Sequence, residues 1–289
     1  MAGEESRLAI GKKMQPSASP FRWLWFLAVV IVVLSGPQRS PLAHGAEPQN
    51  WQLSSSLTYE SGTYGTSNRS ETVYIPFTVK RFFDQGELAF TVPFLELRTT
   101  GETTLVDGKP QRIRTGRRTD LASTGTVTKG GLGDMLLKGR YYVLDEHGLL
   151  PTIALVAKIK FPTADESQGL GTGKFDEGFG VEVSRRFLER FIGYFDLSYT
   201  VIGSPAGTDL RNQVAYDFGL GYHFMPRLLA SAFYEERTAL VSGQPNPRSF
   251  LFTGDYKVTQ AFRLNAAVEV GLSNGAPDYG LTGGVGMRF

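Results

Sequence analysis

Beyond residue 50 the chain alternates. In "VAYDFGLGYHF", Val214, Tyr216, Phe218, Leu220, Tyr222 and Phe224 fall on one face, with Ala215, Asp217, Gly219, Gly221 and His223 on the other. "PTIALVAKIKF" at 151–161 and "FRLNAAVEVGL" at 262–272 repeat the pattern. A two-residue period held over about ten residues marks a strand with one greasy face. No segment after residue 50 keeps a 3.6-residue apolar period over three turns. The alternation predicts twelve strands, at about 51–60, 71–82, 87–98, 133–144, 151–162, 175–187, 191–202, 212–224, 227–238, 248–258, 261–272 and 278–289.

The connections have a rhythm of their own. "FDQG", "DEHG", "LER", "MP" and "TQ" are short joins after every second strand. The others run longer, at 61–70, 99–132, 163–174, 203–211 and 239–247, while "SNGAP" at 273–277 is only a turn. A soluble β-sandwich averages five or six residues per strand and shows no such alternation of loop length. Strands of about 9–11 residues, an even strand number, and short turns at one end with long loops at the other describe a transmembrane barrel. The expected fold is therefore all-β, an antiparallel up-and-down transmembrane barrel of about twelve strands. Closure is required, because an open sheet edge in hydrocarbon leaves backbone groups unpaired. Phe82, Phe83, Phe94, Phe161, Phe175, Phe187, Phe191, Phe224 and Phe262 lie near strand ends, where interfacial girdles form. The last strand alternates up to Phe289, which resembles the C-terminal signature recognised by barrel-assembly machinery.

The first 46 residues read differently. Arg7, Lys12, Lys13 and Arg22 precede the apolar run "WLWFLAVVIVVL", and "LAHGAEP" follows with small residues. This is the pattern of a secretory signal peptide, cleaved after Gly45 or Ala46, with an uncleaved anchor as the alternative. The expected organisation is a signal peptide at 1–46 and a barrel at 47–289. Removing the leader changes the charge picture: 25 basic and 26 acidic residues remain, against +2 for the whole chain. Nothing in that balance calls for a nucleic-acid partner. Cysteine is absent, and His44, His147 and His223 have no metal-ligand spacing, so neither cofactor nor metal is expected.

With the apolar face toward lipid, charges of both signs fall on the inner register. The basic ones are Lys138, Arg140, Lys158, Lys160, Arg237, Lys257, Arg263 and Arg288; the acidic ones are Asp134, Asp176, Glu182, Asp196, Asp217, Glu235, Asp255 and Glu269. These are the candidate pore-lining residues. Glu177 and Arg185 break the phase near the ends of their strand. A balanced, charged lumen fits a hydrated channel or a salt-bridged, filled interior, and strand number does not separate the two.

Two loops invite attention. Segment 99–132, expected to be a long extracellular loop, carries Arg112, Arg114, Arg117 and Arg118. It reads as a basic constriction for anionic solutes or as a surface hairpin touching lipopolysaccharide phosphates. "GLGTGK" at 169–174 has the glycines of a phosphate loop, but Phe175 stands where Ser or Thr is needed and a strand follows instead of a helix. A glycine-rich extracellular loop is the expectation there.

These stretches also carry a resemblance. "FTVPF" at 90–94, "GLGDMLLKGRYYV" at 131–143, the run from Lys158 to Arg185, and "GYFDLSYTVIG" at 193–203 resemble the outer-membrane family labelled MetA-pathway of phenol degradation. The resemblance implies an outer-membrane barrel often described as a transporter of aromatic or other small compounds. It supplies no binding residues. The expected function is a narrow, non-enzymatic channel for small solutes, with outer-membrane lipids and the assembly machinery as partners. A non-conducting surface barrel is the alternative, and a lipid-modifying enzyme a more distant one, since no nucleophile pairs with either barrel histidine.

Overall fold

The computed structural model describes residues 50–65, 68–99, 103–106, 109–112, 127–205 and 207–289. The expected signal peptide lies outside the described residues. In chain order the strands are β1 (Trp51–Gly62), β2 (Ser70–Phe83), β3 (Gly86–Thr99), β4 (Thr103–Val106), β5 (Lys109–Arg112), β6 (Val127–Leu132), β7 (Met135–Leu144), β8 (Thr152–Phe161), β9 (Asp176–Phe187), β10 (Phe191–Val201), β11 (Gln213–Met225), β12 (Leu228–Arg237), β13 (Arg248–Lys257), β14 (Phe262–Gly271) and β15 (Tyr279–Arg288).

β6 and β7 both pair with β3 and together make one stave, so the wall has twelve. Each stave runs antiparallel to its neighbours, and β1 pairs with both β2 and β15, which closes the cylinder. The seam is sealed at the rim: Trp51 N donates to Phe289 O, and Phe289 N donates to Trp51 O, both at 3.0 Å. Phe289 itself is 56% exposed on the outside. Closure of this kind is what a sheet needs in lipid, where no water is present to satisfy an edge.

The outer surface is apolar. Phe77, Phe94, Leu197, Phe218, Phe252 and Leu281 are all exposed, Phe218 at 52%. In water such a surface would be an aggregation hazard, but against hydrocarbon it is the solvated face. Aromatic contacts run around it, as in Phe77 with Phe94 at 6.2 Å and Phe218 with Tyr234 at 5.2 Å.

Two features depart from simple alternation. The long loop is shorter than 99–132, because β3 continues to Thr99 and pairs there with β6, Leu97 opposite Lys129 and Thr99 opposite Val127. The wall thus extends further at this end, and β4 and β5 form a separate hairpin. The second feature is the break at Gly133–Asp134. Pro93 lies opposite and has no N–H to give, so the ladder is interrupted there; Gly133 N instead donates to Pro93 O at 2.8 Å. A Cβ on Gly133 would sit 2.7 Å from Leu95 Cδ2 and 3.0 Å from Pro93 Cγ, so a side chain there would push the packed Leu95 aside. The break turns the Asp134 carboxylate inward.

Candidate functional site

The site is the inner wall, and the register of the sheet sorts its charges. Residues paired across neighbouring strands form rows that climb the tilted wall diagonally. One row runs Arg288, Gln52, Lys80, Ala89, Lys138, Lys158, and is basic. Another runs Glu182, Asp196, Asp217, Glu235, and is acidic. Between them lies a row containing Glu87, Arg140 and Val156 on one side and Ala215 and Arg237 on the other. Like charges directly opposite one another are unfavourable, so each row must be answered by its neighbour.

The answer is a ladder of alternating sign. Lys80 Nζ donates to Glu87 Oε1 at 2.8 Å. Arg140 donates to that same Glu87 oxygen and, through Nε, to Glu182 Oε2 at 2.5 Å. Lys138 Nζ reaches Glu182 Oε1 at 3.1 Å. The small residues Ala154 and Val156 on the intervening β8 let Arg140 span from β7 to β9. The Glu182 end of the ladder is open to the lumen, with the Lys138 side chain 37% and Glu182 24% exposed, while Glu87 is buried. Nearer the short-turn rim, Arg263 donates to Asp255 at 3.3 Å, Lys257 pairs with Arg263 across the strands, and Arg288 stacks over Phe82 at 4.3 Å.

At the long-loop end the chemistry is the same and the setting is not. Lys160 is only 3% exposed; its Nζ lies 2.8 Å from Asp176 Oδ2 and 3.1 Å from Asp134 Oδ2. It also donates to Thr172 Oγ1 at 2.9 Å. Thr172 comes from segment 162–175, the glycine-rich loop, which folds back into the mouth instead of standing in solvent. Leu170 of that segment is buried against Leu95, Leu97 and Ala164, with Tyr74 alongside. Ile202, Leu210 and Leu240 form a second apolar contact at the same end, between two other long loops. Glu269 and Glu60 are buried there as well, near Tyr64. The Tyr64 phenol is raised from its ordinary range, first by burial and then by the charges of Glu60, Glu269 and Asp278.

The lumen also carries apolar groups. Tyr194 and Phe233 lie on one inner row, their ring centroids 5.3 Å apart across Gly219, where a Cβ would strike the Phe233 ring. Leu251 continues that row, and Leu95 and Leu97 lie on the inner face of β3. A list of charges misses all five. The signals for them exist: in β3 the polar residues move to the outer phase at Glu96 and Arg98, and a glycine in a lumen row leaves room for a large neighbour.

His223 is on the inner register opposite Leu229, and His147 is in a short turn. Arg112 ends β5. Arg114, Arg117 and Arg118 lie outside the described residues. No described group of three or more His, Asp and Glu side chains is arranged to hold a metal.

A closed twelve-stave wall with a lipid-facing apolar surface and a charged interior defines an outer-membrane β-barrel. The chain belongs to the family described as "Putative MetA-pathway of phenol degradation", which matches residues 85–289. Among solved structures it is similar to the COG4313 outer membrane channel from Pseudomonas putida F1, at 11% identity and a TM-score of 0.59, covering 87% of this chain and 100% of that one. A NanC porin matches at 11% identity, 82% and 100% coverage and a TM-score of 0.49. The Ralstonia pickettii toluene transporter TbuX matches at 13% identity, 84% and 90% coverage and 0.47. No curated protein matches the chain.

Proposed function

We propose that the protein is an outer-membrane channel that passes small solutes through its lumen. The observation that carries this reading is the inner wall itself. Lys80, Arg140, Glu182 and Lys138 of the ion-paired ladder stay partly exposed to the lumen around a buried Glu87, and hydroxyl rows such as Thr78–Thr91 and Thr58–Thr282 line the wall beside them. Charged side chains exposed along a lumen are the groups that tune passage in a hydrated channel. The Tyr194–Phe233 pair gives the same wall an apolar ledge, which suits small solutes with an aromatic or hydrophobic part.

The inner-register charges Lys138, Arg140, Lys158, Glu182, Asp196, Asp217, Glu235, Arg237, Asp255, Lys257 and Arg263 are the proposed lining, while Lys160, Asp176 and Glu269 of the same register are buried at the mouth. Delivery in this reading uses a cleaved signal at 1–46, and assembly uses the C-terminal strand ending in Phe289. Lipopolysaccharide surrounds the outer rim, and the arginines of the 100–126 segment are the groups suited to its phosphates.

A second reading, a barrel that conducts nothing, is favoured by one observation: the residues of the long-loop mouth are buried. Single-channel recording and liposome flux with the purified protein separate the two. Discrete steps and solute entry support the channel; a silent bilayer from folded protein removes it.

A further inference from the structure

We propose that segment 162–175 is a movable strap whose tip closes the outer mouth, and that passage through the lumen requires it to lift. The inference rests on the channel reading above.

The strap has a fixed base and a lightly held tip. At the base, Thr163 Oγ1 donates to Gly133 O and accepts from Met135 N, each at 2.9 Å. Ala164 N donates to Asp134 Oδ1 at 3.0 Å. These contacts tie the strap to the break in the wall. The tip runs Gly169–Gly173, with Gly169 at φ +74° and Gly173 at φ +64°, in the left-handed region that glycine enters freely. Leu170 seats it in the pocket of Leu95 and Leu97, Thr172 rests on Lys160, and between them the Gly171 backbone packs close against Asp134 and Ala164.

What makes the tip releasable is where the charges belong. Lys160, Asp134 and Asp176 are all wall residues. When the tip lifts, Lys160 keeps both carboxylates and loses only the Thr172 hydroxyl. No buried charge is stranded, which would otherwise hold the strap shut. Lifting exposes Leu170, Gly171 and Thr172 and gives up the Lys160–Thr172 hydrogen bond, a local opening of the kind that loops undergo without unfolding the whole. The wall beneath stays intact, since β8 and β9 are paired independently of the tip.

The chain has no cysteine, so a single introduced thiol reports cleanly. Leu97→Cys places that thiol beneath the tip, on the inner face of β3. In cells displaying the full protein, a charged, membrane-impermeant thiol reagent added outside should modify it slowly. Adding Leu170→Ser should speed modification about tenfold or more, the size expected when a buried leucine no longer seats. Thr172→Val, close in shape but without the hydroxyl, should do the same to a smaller degree. Heat-modifiable migration on a gel confirms that each variant is folded. The same variants without the thiol, recorded in planar bilayers, should show larger or more frequently open steps than the parent. Unchanged labelling after both seats are removed overturns the strap. Faster labelling with unchanged conductance overturns its role as a gate. If neither parent nor variants conduct while labelling still rises, the channel reading falls and the strap's seating stands on the labelling alone.

Discussion

Two lysine-centred clusters face the same lumen and behave as opposites. Lys138 shares Glu182 with Arg140 on the open wall, where more than a third of its side chain meets solvent. Lys160 sits at the mouth between Asp134 and Asp176 with almost none. The bond lengths are alike, so geometry does not distinguish them; hydration does. A hydrated rung gains little when made and loses little when broken, because water replaces the missing partner. A dry cluster has no such substitute, and removal of one member leaves an uncompensated charge in a poor solvent. The wall ladder is therefore suited to meeting a passing solute, and the mouth cluster to holding the barrel's shape where the strap docks.

The largest test of this contrast is Lys160→Met. It strands Asp134 and Asp176 together and should cost about 3–5 kcal/mol of stability, read from urea unfolding in lipid. Adding Asp134→Asn and Asp176→Asn should recover most of that loss, because neutral amides no longer repel. If the single change is tolerated as easily as a surface substitution, the mouth is wetter than the packing indicates.

Arg140→Met should cost less, about 1–3 kcal/mol, since Glu87 retains Lys80 and Glu182 retains Lys138. Its clearer effect is electrical. Loss of a positive group between two carboxylates should shift the reversal potential in a salt gradient toward cation preference. A stability loss equal to that of Lys160→Met would erase the distinction between the clusters.

The wall of this barrel could be read from the sequence far better than its mouth. Alternation places Phe218 outside and Asp217 inside without reference to any other strand, so strand limits fall within a few residues of those observed. The register that brings Arg140 to Glu182 depends on pairing across a third strand, which period two does not encode. The strap is less legible still. Its glycines mark a loop, but whether a loop stands out or folds in depends on Leu170 finding Leu95 and Leu97, residues more than seventy positions away. Likewise β6 reads as loop in the sequence because Thr128, Lys129, Gly130 and Gly131 give no greasy face; its partner Leu95–Thr99 supplies the order.

A smaller effect is expected at the opposite rim. Phe289→Ala leaves the backbone pair with Trp51 in place, so protein that folds should conduct as the parent does. If the terminal ring serves assembly, the fraction reaching the folded state in the outer membrane should fall several-fold while the wall's stability barely changes. An equal yield from the variant would leave Phe289 as a girdle residue only.

The smallest effect concerns Tyr64. The turn at 63–65 buries the ring, and burial together with Glu60, Glu269 and Asp278 favours the neutral phenol, while Arg237 acts the other way. Folded Tyr64 therefore ionises at higher pH than it would unfolded, where a phenol loses its proton near pH 10. Its contribution is complete below that pH and is lost as the pH rises beyond it, because the unfolded state then releases a proton that the folded state retains. Twelve tyrosines obscure this in the parent alone. The informative quantity is the difference from Tyr64→Phe, which has no phenolic proton. The parent's stability should fall more steeply than the variant's between about pH 10 and 12, and the two slopes should coincide below pH 9. Coincident slopes throughout would mean that water reaches the phenol, and that the mouth on this side is more open than the one sealed by Lys160.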